Sequence, residues 1–100
     1  MPDVTINGKA TWDSVAGAAA YDVISEELNG AQIAAVLDIT ATETPILGLL
    51  TKPDLSVMPP GTYRFKVRSQ DAQGNQGEWS PTFSFTMVAP PAPLNLGVSE

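Results

Sequence analysis

Cysteine and histidine are both missing from this 100-residue chain. Without cysteine no disulfide can support the fold, and the redox compartment is left open. Without histidine the commonest general base and the commonest metal ligand are gone together. Cations are scarce as well. Lys9, Lys52, Arg64, Lys66 and Arg68 stand against 11 Asp and Glu, for a net charge of -6. So acidic a chain lacks the clustered Lys and Arg that grip phosphates, which argues against a nucleic-acid partner. No apolar run approaches about 18 residues, so no membrane insertion is expected. The opening stretch MPDVTINGKATWDSV has neither the basic nor the apolar segment of a secretory signal. With Met1 as the native start, the expectation is a protein made in the cytoplasm and not secreted from there.

What the chain does contain is strand-like alternation. After Pro59-Pro60-Gly61, the residues Tyr63, Phe65 and Val67 alternate with Arg64, Lys66 and Arg68, an apolar row on one face and a cationic row on the other. A polar loop follows, and then Phe83, Phe85 and Met87 alternate with Ser84 and Thr86. Upstream, Val4-Thr5-Ile6 is a short strand closed by the hairpin dipeptide Asn7-Gly8, and Lys9 to Trp12 places Ala10 and Trp12 inward. Tyr21, Val23 and Ser25 share one face of a third strand, with Asp22, Ile24 and Glu26 on the other. Gln32 to Thr40 reads as a strand on its branched residues. Ile46 to Leu50 reads as another, starting after Pro45, which cannot donate to a ladder. The crossing Thr51 to Gly61 carries three prolines. Beyond Val88, Ala89-Pro90-Pro91-Ala92-Pro93 is stiff and extended, and Leu94, Leu96 and Val98 alternate like a further strand with no obvious partner. Seven strands with turns at short spacing predict an all-β, Ig-like sandwich over residues 1–88, with a Pro-rich C-terminal arm over 89–100.

Candidate chemistry is thin. Asp71, Asn75 and Glu78 surround Gly74 and Gly77, but DAQGNQGE lacks the further carboxylates of a calcium loop and reads as a turn. Glu26 and Glu27 point to opposite faces of a strand, so they cannot act together as acid and base and read as a solubilising edge. Ser14, Ser25, Ser80 and Ser84 have no histidine to activate them. No cofactor, metal site or catalytic activity is expected.

Trp12 in KATWDSV, Tyr21 in AAAYDV, and above all Val57-Met58-Pro59-Pro60-Gly61-Thr62-Tyr63 running into the alternating strand resemble a fibronectin type III domain. The segment DAQGNQGEWSP looks like that family's polar loop and the Trp-Ser opening its last strand. Three departures stand out: Val57 where leucine is usual, a longer crossing before that corner, and a truncated first strand. Pro91 to Val98 itself looks like the first strand of such a domain at the wrong end of the chain. The resemblance implies buried Trp12, Tyr21, Val23, Tyr63, Phe65, Val67, Phe83 and Phe85, with the Tyr63 hydroxyl bonded to backbone between Val57 and Pro59. It also implies Arg64 or Arg68 stacked over Trp79, and binding or spacing roles without catalysis. The candidate protein-contact residues are therefore Arg64, Lys66, Arg68 and Trp79 together with Leu94, Leu96 and Val98. Their expected partners are other protein subunits, a second copy of the chain included. The leading expectation is a structural or decoration protein of a bacteriophage virion. The alternative is an accessory or adhesion module of a secreted or cell-surface bacterial protein. Glycan binding has only Trp79 in its favour.

Overall fold

The alternating run after Gly61 becomes the longest strand in the computed structural model, which describes residues 1–100. In chain order the elements are β1 (Asp3–Val4), β2 (Lys9–Thr11), β3 (Ala20–Glu27), β4 (Gln32–Ile39), β5 (Glu43–Pro45), α1 (Ile46–Leu50), β6 (Gly61–Gln70) and β7 (Phe83–Met87). Five strands form one sheet in the order β1-β7-β6-β3-β4, and β2 pairs with β5 in a second, two-stranded sheet. The protein is all-β apart from one short helix. Every pairing is antiparallel except β1 with β7, which is parallel.

The core lies between the sheets. Val23, Phe65, Phe85 and Met87 from the large sheet meet Ala10 of β2 and Ile46, Leu49 and Leu50 of α1. The aromatic rings of Phe65 and Phe85 tilt against each other with centroids 6.0 Å apart. The Tyr63 hydroxyl donates to the Pro59 carbonyl within the expected stretch, and burial together with the Glu27 charge raises its pKa. Tyr21 packs edge-on to Trp12 at 5.7 Å, and its hydroxyl accepts from the Val15 N–H.

Four expectations need correction. First, Ile46 to Leu50 is a helix, and the strand there is Glu43–Pro45. A strand from Ile46 would bury Ile46, Gly48 and Leu50, wasting a core position on glycine. The helix buries Ile46, Leu49 and Leu50, the i, i+3, i+4 set, and leaves Leu47 to solvent. Pro45 fits β5 because it sits opposite Lys9, and the flanking bond to β2 comes from the Ile46 N–H to the Gly8 carbonyl. An outward-facing position needs no donor.

Second, Asn7-Gly8 does not close a hairpin. A type I′ turn needs positive φ at both residues, and neither has it. The turn instead spans Thr5 to Gly8, closed by the Gly8 N–H on the Thr5 carbonyl. Gly8 is needed there because a Cβ would lie 2.1 Å from Val4 Cγ2. The chain so turned sends β1 to β7, with Thr86 and Val88 N–H groups donating to the Pro2 and Val4 carbonyls.

Third, Phe83 is half exposed, at 50%, and Trp12 and Val67 are only partly buried against the core. The small sheet has just two strands and stops short of this end of the large one. Fourth, Glu26 is not the solubilising edge that its sequence position suggests, since β3 lies between β4 and β6 and Glu26 is buried.

Burial therefore separates the two phenylalanines. Phe65→Ala should lower unfolding free energy by about 3–5 kcal/mol, and Phe83→Ala by less than about 1.5 kcal/mol. Denaturant melts of the two variants check this, and equal losses would contradict the exposure of Phe83.

Candidate functional site

The cationic row is set by register. β3 and β6 pair without a shift over eight positions, which puts Asp22 opposite Arg68, Ile24 opposite Lys66 and Glu26 opposite Arg64. Directly opposed residues on one face are neighbours, so the row meets carboxylates at both ends. Arg64 Nε lies 2.7 Å from Glu26 Oε1, and Arg68 Nε 2.9 Å from Asp22 Oδ2. Asp22 also accepts from the Gln70 amide and from the Asp38 backbone N–H, and Gln70 donates in turn to the Asp38 carboxylate. Burial alone pushes the Asp22 carboxyl upward. The Asp38 N–H, the Arg68 guanidinium and the Gln70 amide outweigh it, and the pKa ends below its ordinary value.

Trp79 lies against two cations of the row. The Arg68 guanidinium carbon is 4.4 Å from the ring centroid and Lys66 Nζ is 5.3 Å from it. Such contacts are worth about 0.5–1 kcal/mol at exposed sites. The segment holding Trp79 is tied to β6 by Ser80, whose N–H donates to the Val67 carbonyl and whose hydroxyl accepts from the Val67 N–H. Of the three row cations, only Lys66 has no carboxylate partner. The row is thus largely spent within the domain. Sequence reasoning missed Asp22 and Glu26 as its partners. The signal was available, since both occupy the face of β3 that the polar alternation of β6 also uses.

In the polar loop the Asp71 carboxylate accepts from the N–H groups of Gln73 and Asn75 and from the Asn75 side chain. Those bonds, the Asn75 amide first, hold its pKa down. The carboxylate serves its own turn. Ser25 is buried, and its hydroxyl donates to the Leu49 carbonyl, pinning α1 to β3.

The tail residues Leu94, Leu96 and Val98 are 84, 83 and 101% exposed. They form no strand, and residues 89–100 contain neither helix nor sheet. The site residues therefore fall into two separate groups, one on the outer face of the large sheet and one beyond it.

A cleft of about 540 Å³ opens between the sheets. Val4 and Lys9 to Trp12 form its rims, and Phe65, Phe83 and Phe85 contribute aromatic surface. The Trp12 indole N–H is buried without an acceptor. No protein-family model, curated protein or solved structure matches the chain. No helix is long and apolar enough to cross a membrane.

The ion-pair ladder predicts a pH and mutational signature. Asp22→Ala should cost about 2–4 kcal/mol by stranding Arg68 and Gln70, whereas Lys66→Ala should change stability by under about 1 kcal/mol. Because the folded-state pKa of Asp22 is lowered, its contribution is fully present above the ordinary carboxylate range. It is lost as pH falls through the lowered value. Urea melts between pH 7 and pH 2 should show an acid-side loss in the native chain that is smaller in Asp22→Asn.

Proposed function

We infer that this chain is a non-catalytic structural module that works through protein–protein contacts, built as a seven-stranded Ig-like β-sandwich of fibronectin type III character. The observation that carries the reading is the exposed Leu94, Leu96 and Val98 row, placed after a proline-rich segment and outside a core to which it contributes no residue. An alternating apolar row that contributes nothing to its own domain is available to another chain. The outer face of the large sheet is a weaker contact surface, because Arg64 and Arg68 are engaged by Glu26 and Asp22. Trp79 carries two cations, which leaves it a poor platform for a sugar.

The assembly we propose is a bacteriophage virion, with this chain as a structural or decoration subunit. A cysteine-free, acidic β-module can fold in a reducing cytoplasm, where such particles are put together, and remain soluble on a particle surface.

Two measurements test the reading. Deleting residues 89–100 should leave the melting curve nearly unchanged and abolish assembly or particle binding. Mass spectrometry of density-banded particles from the source culture should find the chain at a fixed ratio to the major shell protein. Its recovery only within a longer secreted polypeptide would instead establish the accessory-module alternative.

A further inference from the structure

The position of β1 leaves an edge of the small sheet unfilled. β2 bonds to β5 through Gly8, whose carbonyl takes the Ile46 N–H, and through Trp12, whose N–H donates to the Thr42 carbonyl. Antiparallel alternation then directs the backbone groups of Lys9 and Thr11 to the opposite side, where no strand lies. On the facing rim, Pro2 and Val4 spend their carbonyls on β7, so alternation turns Asp3 toward the same opening. Between these rims sits the aromatic cleft with the half-exposed Phe83. Two unpaired edges over an apolar floor define a slot for one extended strand with alternating apolar residues.

The chain carries one unplaced segment of that description. We propose that Leu94–Val98 of a second copy inserts into this cleft, running antiparallel to β2, with Leu94, Leu96 and Val98 facing Phe83 and Phe85. The proposal rests on the assembly reading above and names its partner and site. Once extended, the three side chains would repeat at about 6.6 Å, the spacing of one strand face; insertion therefore requires Asn95 to leave the left-handed conformation it has in the single chain (φ 56°), and the lining they meet is mainly apolar. The donor is a second copy because of where the tail starts. β7 ends at Met87, opposite Gly61 and beside Val4 at one end of the cleft, and the cleft floor runs back from there toward Phe83. Return to the chain's own cleft needs an immediate reversal, and Pro90, Pro91 and Pro93 hold that stretch extended. Every residue from Ala89 to Glu100 is exposed in the single chain. Since donor tail and acceptor cleft are different surfaces, each subunit can give one strand and receive another, a heterologous contact that builds rings or filaments.

Cross-linking tests this directly, because the chain has no cysteine of its own. Thr11→Cys puts a thiol on the outward side of β2, and Asn95→Cys puts one on the outward side of an inserted tail. Equal amounts of the two full-length variants, concentrated under mild oxidation, should give a mixed disulfide dimer. Adding Leu96→Asp to the Asn95→Cys chain should reduce that dimer at least about tenfold. Leu96 is exposed, so this change leaves the fold intact, as a melting curve will verify. Leu37→Asp in the same chain, at an exposed site on β4, should leave the yield unchanged. The proposal is overturned by a mixed dimer no more abundant than with a Thr40→Cys control, or by one indifferent to Leu96→Asp. It is equally overturned if a Thr11→Cys/Asn95→Cys double variant closes only within one chain. A positive cross-link from a chain absent from particles retains the cleft and removes the virion. Presence in particles without the cross-link does the reverse.

Discussion

The unshifted pairing of β3 with β6 is the constraint on which the other elements depend. One register decides both faces at once, because side chains alternate and a slip of one residue would exchange them. Held as it is, Val23 and Ser25 meet the core beside Phe65, while Asp22 and Glu26 meet Arg68 and Arg64 outside. A slipped register would bury guanidinium groups against α1 and leave the carboxylates unpaired. Breaking a buried pair typically costs about 3–5 kcal/mol, a large part of the ~5–15 kcal/mol by which small domains are stable. The ladder of ion pairs thus selects register as well as adding stability. β4 follows from it, since its bulge at Leu37 and Asp38 lets the Asp38 N–H reach Asp22.

The small sheet has a different support. Two strands of three residues are not stable alone. What holds β2 and β5 in place is α1, which continues directly from Pro45 and buries Leu49 and Leu50 completely. The Ser25 hydroxyl on the Leu49 carbonyl and the Met58 N–H on the Leu50 carbonyl satisfy the last turn of that helix. One turn of helix therefore does the joining that further strands would otherwise provide.

That division explains what could be read from the sequence. Tyr63 to Arg68 and Tyr21 to Glu26 were legible because period two persists over six residues, whereas the stacking on Trp79 and the bond to Pro59 were expected only from the resemblance. Ile46 to Leu50 was not, because five apolar residues satisfy either period and only the burden of burying Gly48 separates them. Asn7-Gly8 misled for a related reason: the dipeptide favours a hairpin, but the close packing of Val4 on Gly8 fixes a different turn. The exposure of Phe83 was invisible, since it depends on where β1 goes and hence on a pairing distant in sequence. The contact residues divide likewise. The tail row could be seen in the sequence as unpartnered, whereas the engagement of Arg64 and Arg68 required the register.

The energetics of the tail bear on the kind of assembly it can serve. Burying Leu94, Leu96 and Val98 yields about 1.5–3 kcal/mol for each side chain, so roughly 4–9 kcal/mol in all. Association costs an estimated 4–15 kcal/mol in lost freedom, before any ordering of the proline-linked segment. Backbone bonds to the Lys9 and Thr11 edge add only modestly, since water already satisfies those groups. A single tail in a single cleft is therefore a weak contact. On the proposed reading it would become effective when many copies are held side by side and each tail meets its neighbour's cleft at high effective concentration. A strand exchange this weak would then join subunits only where many are already gathered, which is what the proposed particle role requires.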